Sequence, residues 1–155
     1  MKKIGMYTAR GIVSETETEA GTPQKITLFD GSFESAYRVV GFRIWASSYA
    51  GSSSPDCVGK LSKNELGVTS AANFMRADDD NQIAWAASAG SADGGLGFAD
   101  PPVIDLDNLI VEDLYVYVRT TGTATDAINY IVEMEKYEIT DWQGALTMAR
   151  DKAQG

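Results

Sequence analysis

The apolar residues of this chain recur at every second position over long stretches and almost nowhere at helical spacing, which restricts the folds open to it more than any other feature. In "LIVEDLYVYVRT", which starts at Leu109, residues Leu114, Val116 and Val118 fall on one face of an extended chain while Tyr115, Tyr117 and Arg119 fall on the other. "AYRVVGFRIWAS", from Ala36, opposes Val40, Phe42 and Ile44 to Val39, Arg43 and Trp45 in the same way, and "INYIVEMEKYEI", from Ile128, is a third long strand. Shorter candidates are "IGMYTARGIV", "QKITLF" before the Asp30-Gly31 turn, "CVGKLS" and "QIAWAAS". Stretches dense in Gly, Ser, Asp and Pro separate them: "EAGTP", "YAGSSSPD", "SAGSADGGLGFADPP" and "TTGTATD". About seven or eight strands with this punctuation, and no alternation with helices, predict an all-β fold. We expect an antiparallel β-sandwich of jelly-roll type, a single domain over residues 1–155 with a core built on Val40, Phe42, Ile44, Leu114, Val116 and Val118.

Helix is expected only at the end. "TDWQGALTMARDKAQ" offers a cap at Thr140 or Asp141, and Ala145, Leu146, Met148 and Ala149 form an apolar stripe at helical spacing beyond Gly144. A helix this short is not stable alone, so a C-terminal helix or arm over 140–155 must dock, and its position after a long strand lets it reach a neighbouring subunit.

Charge and composition remove whole classes of function. Thirteen basic against twenty-two acidic residues give a net charge of −9, so the chain as a whole is repelled by phosphate backbones and direct nucleic-acid binding is not expected. The chain has no histidine, which rules out Ser-His-Asp and Cys-His nucleophile pairs, histidine-ligated zinc and imidazole acid–base chemistry. Its one cysteine, Cys57, cannot form an intrachain disulfide and is expected to be a small, half-buried side chain. No stretch has the apolar length of a transmembrane helix, and "MKKIGMYTARG" has the lysines of a secretory leader without its apolar region, so synthesis in a cytoplasm is expected. We therefore expect a non-enzymatic protein with no catalytic residues, no cofactor and no bound metal.

The chemistry-bearing clusters fit that expectation. Asp78 and Asp80 alternate as in an EF-hand loop, but Gln82 and Ile83 follow and the pattern fails, so Asp78 to Asn81 are expected to form a solvated turn, though Asp105 and Asp107 could join them in a calcium site if the two loops converge. "SADGGLG" lacks the lysine and helix of a phosphate loop. Glu133 and Glu135 share a strand face at glycosidase-like spacing, with Lys136 beside them, and are expected to lie on a solvated sheet face.

The second faces of the long strands carry the more useful signal. Tyr115, Tyr117, Trp45 and Val39 on a nominally outer surface would leave a large apolar patch, and such a patch implies association. The residues expected at a subunit interface are Trp45, Tyr115, Tyr117, Trp142, Leu146 and Met148.

Two segments, "GTPQKITLFDGSFESAYRVVGFRIW" from Gly21 to Trp45 and "INYIVEMEKYEITDWQGALTMARDKAQG" from Ile128 to Gly155, resemble small virion proteins of marine bacteriophages and related environmental viruses, above all in the strings "LFDG" and "EKYEITDWQGAL". Together they cover about a third of the chain. The resemblance implies a jelly-roll capsid subunit, made in the host cytoplasm and located in the virion, that partners many copies of itself and other virion proteins. The chain departs from a genome-neutralising subunit in lacking a basic terminal arm, since Lys2, Lys3 and Arg10 are too few. The alternative is a carbohydrate- or receptor-binding sandwich of a fibre, in which tryptophans stack on sugar rings and the aspartates hold calcium.

Overall fold

The computed structural model describes residues 2–14, 23–31, 34–47, 56–65, 74–90, 96–98, 102–120, 127–140, 146–147 and 149–150. Among these residues nine strands follow in order: β1 (Lys2–Ser14), β2 (Gln24–Ile26), β3 (Ser35–Ala46), β4 (Cys57–Ser62), β5 (Gln82–Gly90), β6 (Leu96–Phe98), β7 (Val103–Ile104), β8 (Leu114–Thr120) and β9 (Ala127–Glu138). Every strand pairing is antiparallel. Sheet one has the order β1-β9-β3; sheet two has the order β2-β8-β4-β5-β6, with β7 also paired to β5. The two sheets pack face to face as a β-sandwich.

The pairing is nested, which explains how one chain builds both sheets. β1 pairs with β9, β2 with β8, and β4 with β5. Between these, Tyr37 of β3 and Ile110 exchange two backbone hydrogen bonds of 2.8 and 2.7 Å. The chain is thus one long hairpin, first strand with last, rolled up so that β3 also meets β9 and β4 also meets β8. This is the jelly-roll arrangement.

Apolar alternation drives the packing. The inner face of sheet one presents Phe42 and Ile44 from β3 and Ile128, Val132 and Met134 from β9; sheet two answers with Leu61, Leu114, Val116 and Val118, all buried. Gly59 lets the sheets approach closely, because a β-carbon there would lie 3.1 Å from Cδ1 of Ile44. The expected turn at Asp30-Gly31 is realised with Gly31 at φ 92°, a left-handed conformation that glycine adopts without strain. Asp113 ties the exit of β2 to the start of β8: its Oδ1 accepts the backbone N–H of Leu28 at 2.8 Å and of Phe29 at 3.1 Å, and Lys25 lies 3.1 Å from its Oδ2.

Two expectations about the core need correction. Val39 rather than Val40 joins it, because a β-bulge between Val39 and Gly41 inserts one extra residue opposite β9 and shifts the parity of everything before it. Cys57 is fully buried rather than half-buried, and burial pushes its thiol up. Residues 146–147 and 149–150 have helical backbone and Thr140 is an exposed, non-helical residue after β9; the rest of the expected C-terminal arm, including Trp142 and Met148, lies outside the described residues. Among the described residues no helix is long and apolar enough to cross a membrane.

Candidate functional site

The outer face of sheet two is closed by the chain itself. Lys60 on β4 stands opposite Trp85 on β5 and Tyr117 on β8, so the three form a row across the sheet. Asn64 and Phe74, both beyond β4 in the chain, meet this row. The Lys60 ammonium donates to the carbonyl of Phe74 at 2.8 Å and sits 4.4 Å from the Phe74 ring and 5.0 Å from the Tyr117 ring, a cation held by two π-faces. The Tyr117 hydroxyl donates to the carbonyl of Asn64 at 2.9 Å. Lys60 and Tyr117 are both fully buried, and burial lowers the Lys60 pKa to about 8, against a smaller opposing pull from Asp79. Tyr117, which the sequence places among the expected interface residues, is thus covered within the subunit by Asn64 and Lys60.

The aspartate run latches the same cover. Asp79 accepts the backbone N–H of Asn81 at 3.0 Å and the side-chain amide of Gln82 at 3.2 Å. Gln82 in turn accepts the Arg76 backbone N–H at 2.9 Å and the Trp85 indole N–H at 2.8 Å. Asp78 pairs with Arg76 at 2.5 Å, which holds its carboxyl below the usual range. In the other loop Asp105 accepts from the Asp107 backbone at 3.1 Å and from the Asn108 amide at 2.6 Å. The carboxylates of both loops that are hydrogen-bonded thus stabilise turns within their own loop. Among the described residues no three carboxylate or thiol groups converge in a way that could hold a metal ion.

The other expected interface residues are dispersed. Trp45 is half-buried on the outer face of sheet one, opposite Asn129. Tyr115 is half-buried on the outer face of sheet two, opposite Ser62, and Leu146 is exposed on the helical segment. With Trp45 and Trp85 on outward faces of opposite sheets, the two do not form one stacking platform. Glu133 is exposed, whereas Glu135 accepts the Lys3 ammonium at 2.7 Å and the Tyr137 hydroxyl, so the pair is not a free carboxylate couple. A shallow groove of about 260 Å³ beside the β3 bulge is lined by Gly41, Arg43, Pro102 and Glu133 among others.

The most exposed element is β1, which the sequence reading did not single out. Thirteen residues long, it pairs with β9 along one edge, and among the described residues no strand pairs with the other. Of its described side chains only Val13 is buried; Ile4 is 51% exposed, Met6 57%, Tyr7 41% and Ile12 51%. These are four of the eight large exposed hydrophobic side chains among the described residues. The cause is architectural: β2, which ends sheet two on the β1 side, has only three residues, too few to floor a strand of this length. Met6, Thr8, Arg10 and Ile12 stand opposite Glu135, Glu133, Ile131 and Asn129 of β9, all on the outer face. β1 carries Lys2, Lys3 and Arg10 and no acidic residue, so the rest of the chain holds a net −12 against its +3. The signal was legible in principle, since "IGMYTARGIV" has large apolar residues at both odd and even positions, unlike a strand with one wet face.

No protein-family model matches this chain, no curated protein is similar to it, and no solved structure matches it.

Proposed function

We propose that this protein is a non-enzymatic structural subunit of a virion, a capsid protein that assembles in many copies. The observation that carries the assembly half of this reading is the bare β1 strand. Long unpaired edges with apolar flanks are a liability that monomeric proteins blunt with bulges, prolines, inward charges or a covering segment. Here Lys2, Lys3 and the bulge between Lys3 and Gly5 guard only the start of the edge, and among the described residues the run from Gly5 to Ser14 stays unpaired on that side and exposes Met6, Tyr7 and Ile12. A subunit that is buried on assembly has use for such an edge. The virion half rests on the resemblance of Gly21–Trp45 and Ile128–Gly155 to phage virion proteins, and a jelly roll is compatible with it without implying it.

The carbohydrate-binding alternative has less support. Trp45 and Trp85 are divided between two outer faces, and the hydrogen-bonded carboxylates of the two loops stabilise separate turns.

Analytical ultracentrifugation of the purified protein up to tens of micromolar, followed by negative-stain electron microscopy, tests the proposal. Large uniform assemblies are expected. A strict monomer at every concentration, or a small oligomer that binds glycans in a calcium-dependent way, would rule it out.

A further inference from the structure

We propose that two copies of this chain join by antiparallel pairing of their β1 edges about a two-fold axis at Ala9, making one continuous six-stranded sheet in the order β3-β9-β1-β1-β9-β3 from two three-stranded sheets. The inference rests on the reading that the protein self-assembles and names the contact through which it does so.

Backbone parity narrows the choice first. In an antiparallel pair the residues that exchange hydrogen bonds face each other, and only alternate residues of an edge strand point their N–H and C=O outward. Two identical strands therefore match only when the axis passes through a residue, never between two. Centring on Ala9 places Met6 opposite Ile12 of the second copy, so the two exposed apolar side chains of the outer face meet. Centring on Thr8 instead puts Met6 against Arg10, an apolar side chain facing a cation, and centring on Tyr7 puts Met6 against Thr8 and carries Ile12 past the bulge between Lys3 and Gly5.

Charge selects the same arrangement. A parallel pairing would stack Lys2, Lys3 and Arg10 on their own copies, opposing like charges along the whole strand. The antiparallel pairing at Ala9 separates them: Arg10 faces Thr8 of the second copy, and Thr8 is itself opposite Glu133. Across the joined sheet the outer row reads Ile131, Arg10, Thr8, Glu133, so each guanidinium lies two strand spacings, about 10 Å between backbones, from an exposed carboxylate of the other copy. An arginine and a glutamate side chain together span that gap. The second copy is favoured over a generic acidic partner because the apolar pair and the Arg10–Glu133 row are both satisfied twice by one symmetric contact. Two edge strands alone fall short of the ~800 Å² per partner of a stable complex, so the contact is concentration-dependent in isolation and gains from the other contacts of a many-copy assembly.

Cysteine cross-linking reads the register directly. Met6→Cys and Ile12→Cys are made separately, with Cys57 kept because it is buried at 2% exposure. In the proposed register each new thiol faces the other variant's thiol, whereas like thiols are about 20 Å apart, beyond disulfide reach. Mild oxidation of the mixed variants should give a covalent heterodimer several-fold in excess of the homodimer from either alone. Equal yields from the single variants and the mixture would overturn the register. Assemblies visible by electron microscopy with no heterodimer would overturn the β1 contact while leaving the assembly reading intact; a strict monomer in the wild type would overturn both.

Discussion

The outer face of sheet two and the β1 side of sheet one are made of similar materials and finished in opposite ways. Each displays a cation among aromatic and aliphatic side chains on an extended strand. On sheet two the chain returns over the surface, so that Lys60 gains a carbonyl and two rings and Tyr117 gains a carbonyl. On β1 nothing returns among the described residues, and Met6 and Ile12 stay more than half exposed. The difference lies in what each surface still lacks. The row at Lys60 contains groups whose hydrogen bonds the loop completes, and it is a finished interior. Among the described residues the β1 edge still lacks a row of backbone partners and an apolar cover, and another strand supplies both.

Lysines placed on the bare side should break this comparison most visibly. Met6→Lys combined with Ile12→Lys is expected to abolish assembly, as read by sedimentation and electron microscopy, while changing unfolding free energy by no more than ~0.5 kcal/mol, because neither side chain is buried. Loss of both assembly and stability together would mean that β1 belongs to the subunit interior.

The covered side should respond in the reverse sense. Phe74→Ala removes the cover of Lys60 and is expected to cost about 3 kcal/mol, measured from the denaturant midpoint, with assembly retained under native conditions. A change below ~1 kcal/mol would show that the cover contributes little and that the two faces differ less than their burial suggests.

A smaller effect separates the two faces by pH. Folding lowers the Lys60 pKa from 10.5 to about 8, so between those values the unfolded chain binds the extra proton and the native chain does not. Its contribution to stability is therefore absent below about pH 8 and grows as pH rises toward 10. Tyrosines such as Tyr130, raised by burial, act in the opposite direction at higher pH, so the quantity to measure is the wild type minus Lys60→Met. That difference should increase from pH 8 to pH 10; a flat difference would mean that Lys60 is not held as a buried cation.

What was legible in the sequence was local. "CVGKLS" marks β4 from end to end, and the alternation in Leu114, Val116 and Val118 identifies their inward face. Val40 was misassigned because a bulge breaks a period-two count without changing composition. Tyr117 read as an outward-facing position, and what closes over it and over Lys60 beside it are Asn64 and Phe74, the latter 14 residues beyond Lys60 and out of reach of any periodicity. β6, three residues in a glycine-rich stretch, and β7, two residues after a pair of prolines, are too short to carry an alternation. The openness of β1 is topological: it follows from which strand takes the middle of sheet one, and a list of strands does not contain that choice.

The nested pairing sets a clock on when the β1 edge exists. Lys2 meets Glu138 and Ser14 meets Ala127, partners more than a hundred residues apart, so sheet one is a late product of folding. On a ribosome adding about 10 residues per second, β1 waits roughly ten seconds for the strand that straightens it. A chain interrupted before Ala127 has no β9 and hence no ordered edge to offer. The proposed contact surface is thus one that a chain presents only after Glu138 has been made, which would make synthesis through β9 a condition of recruitment.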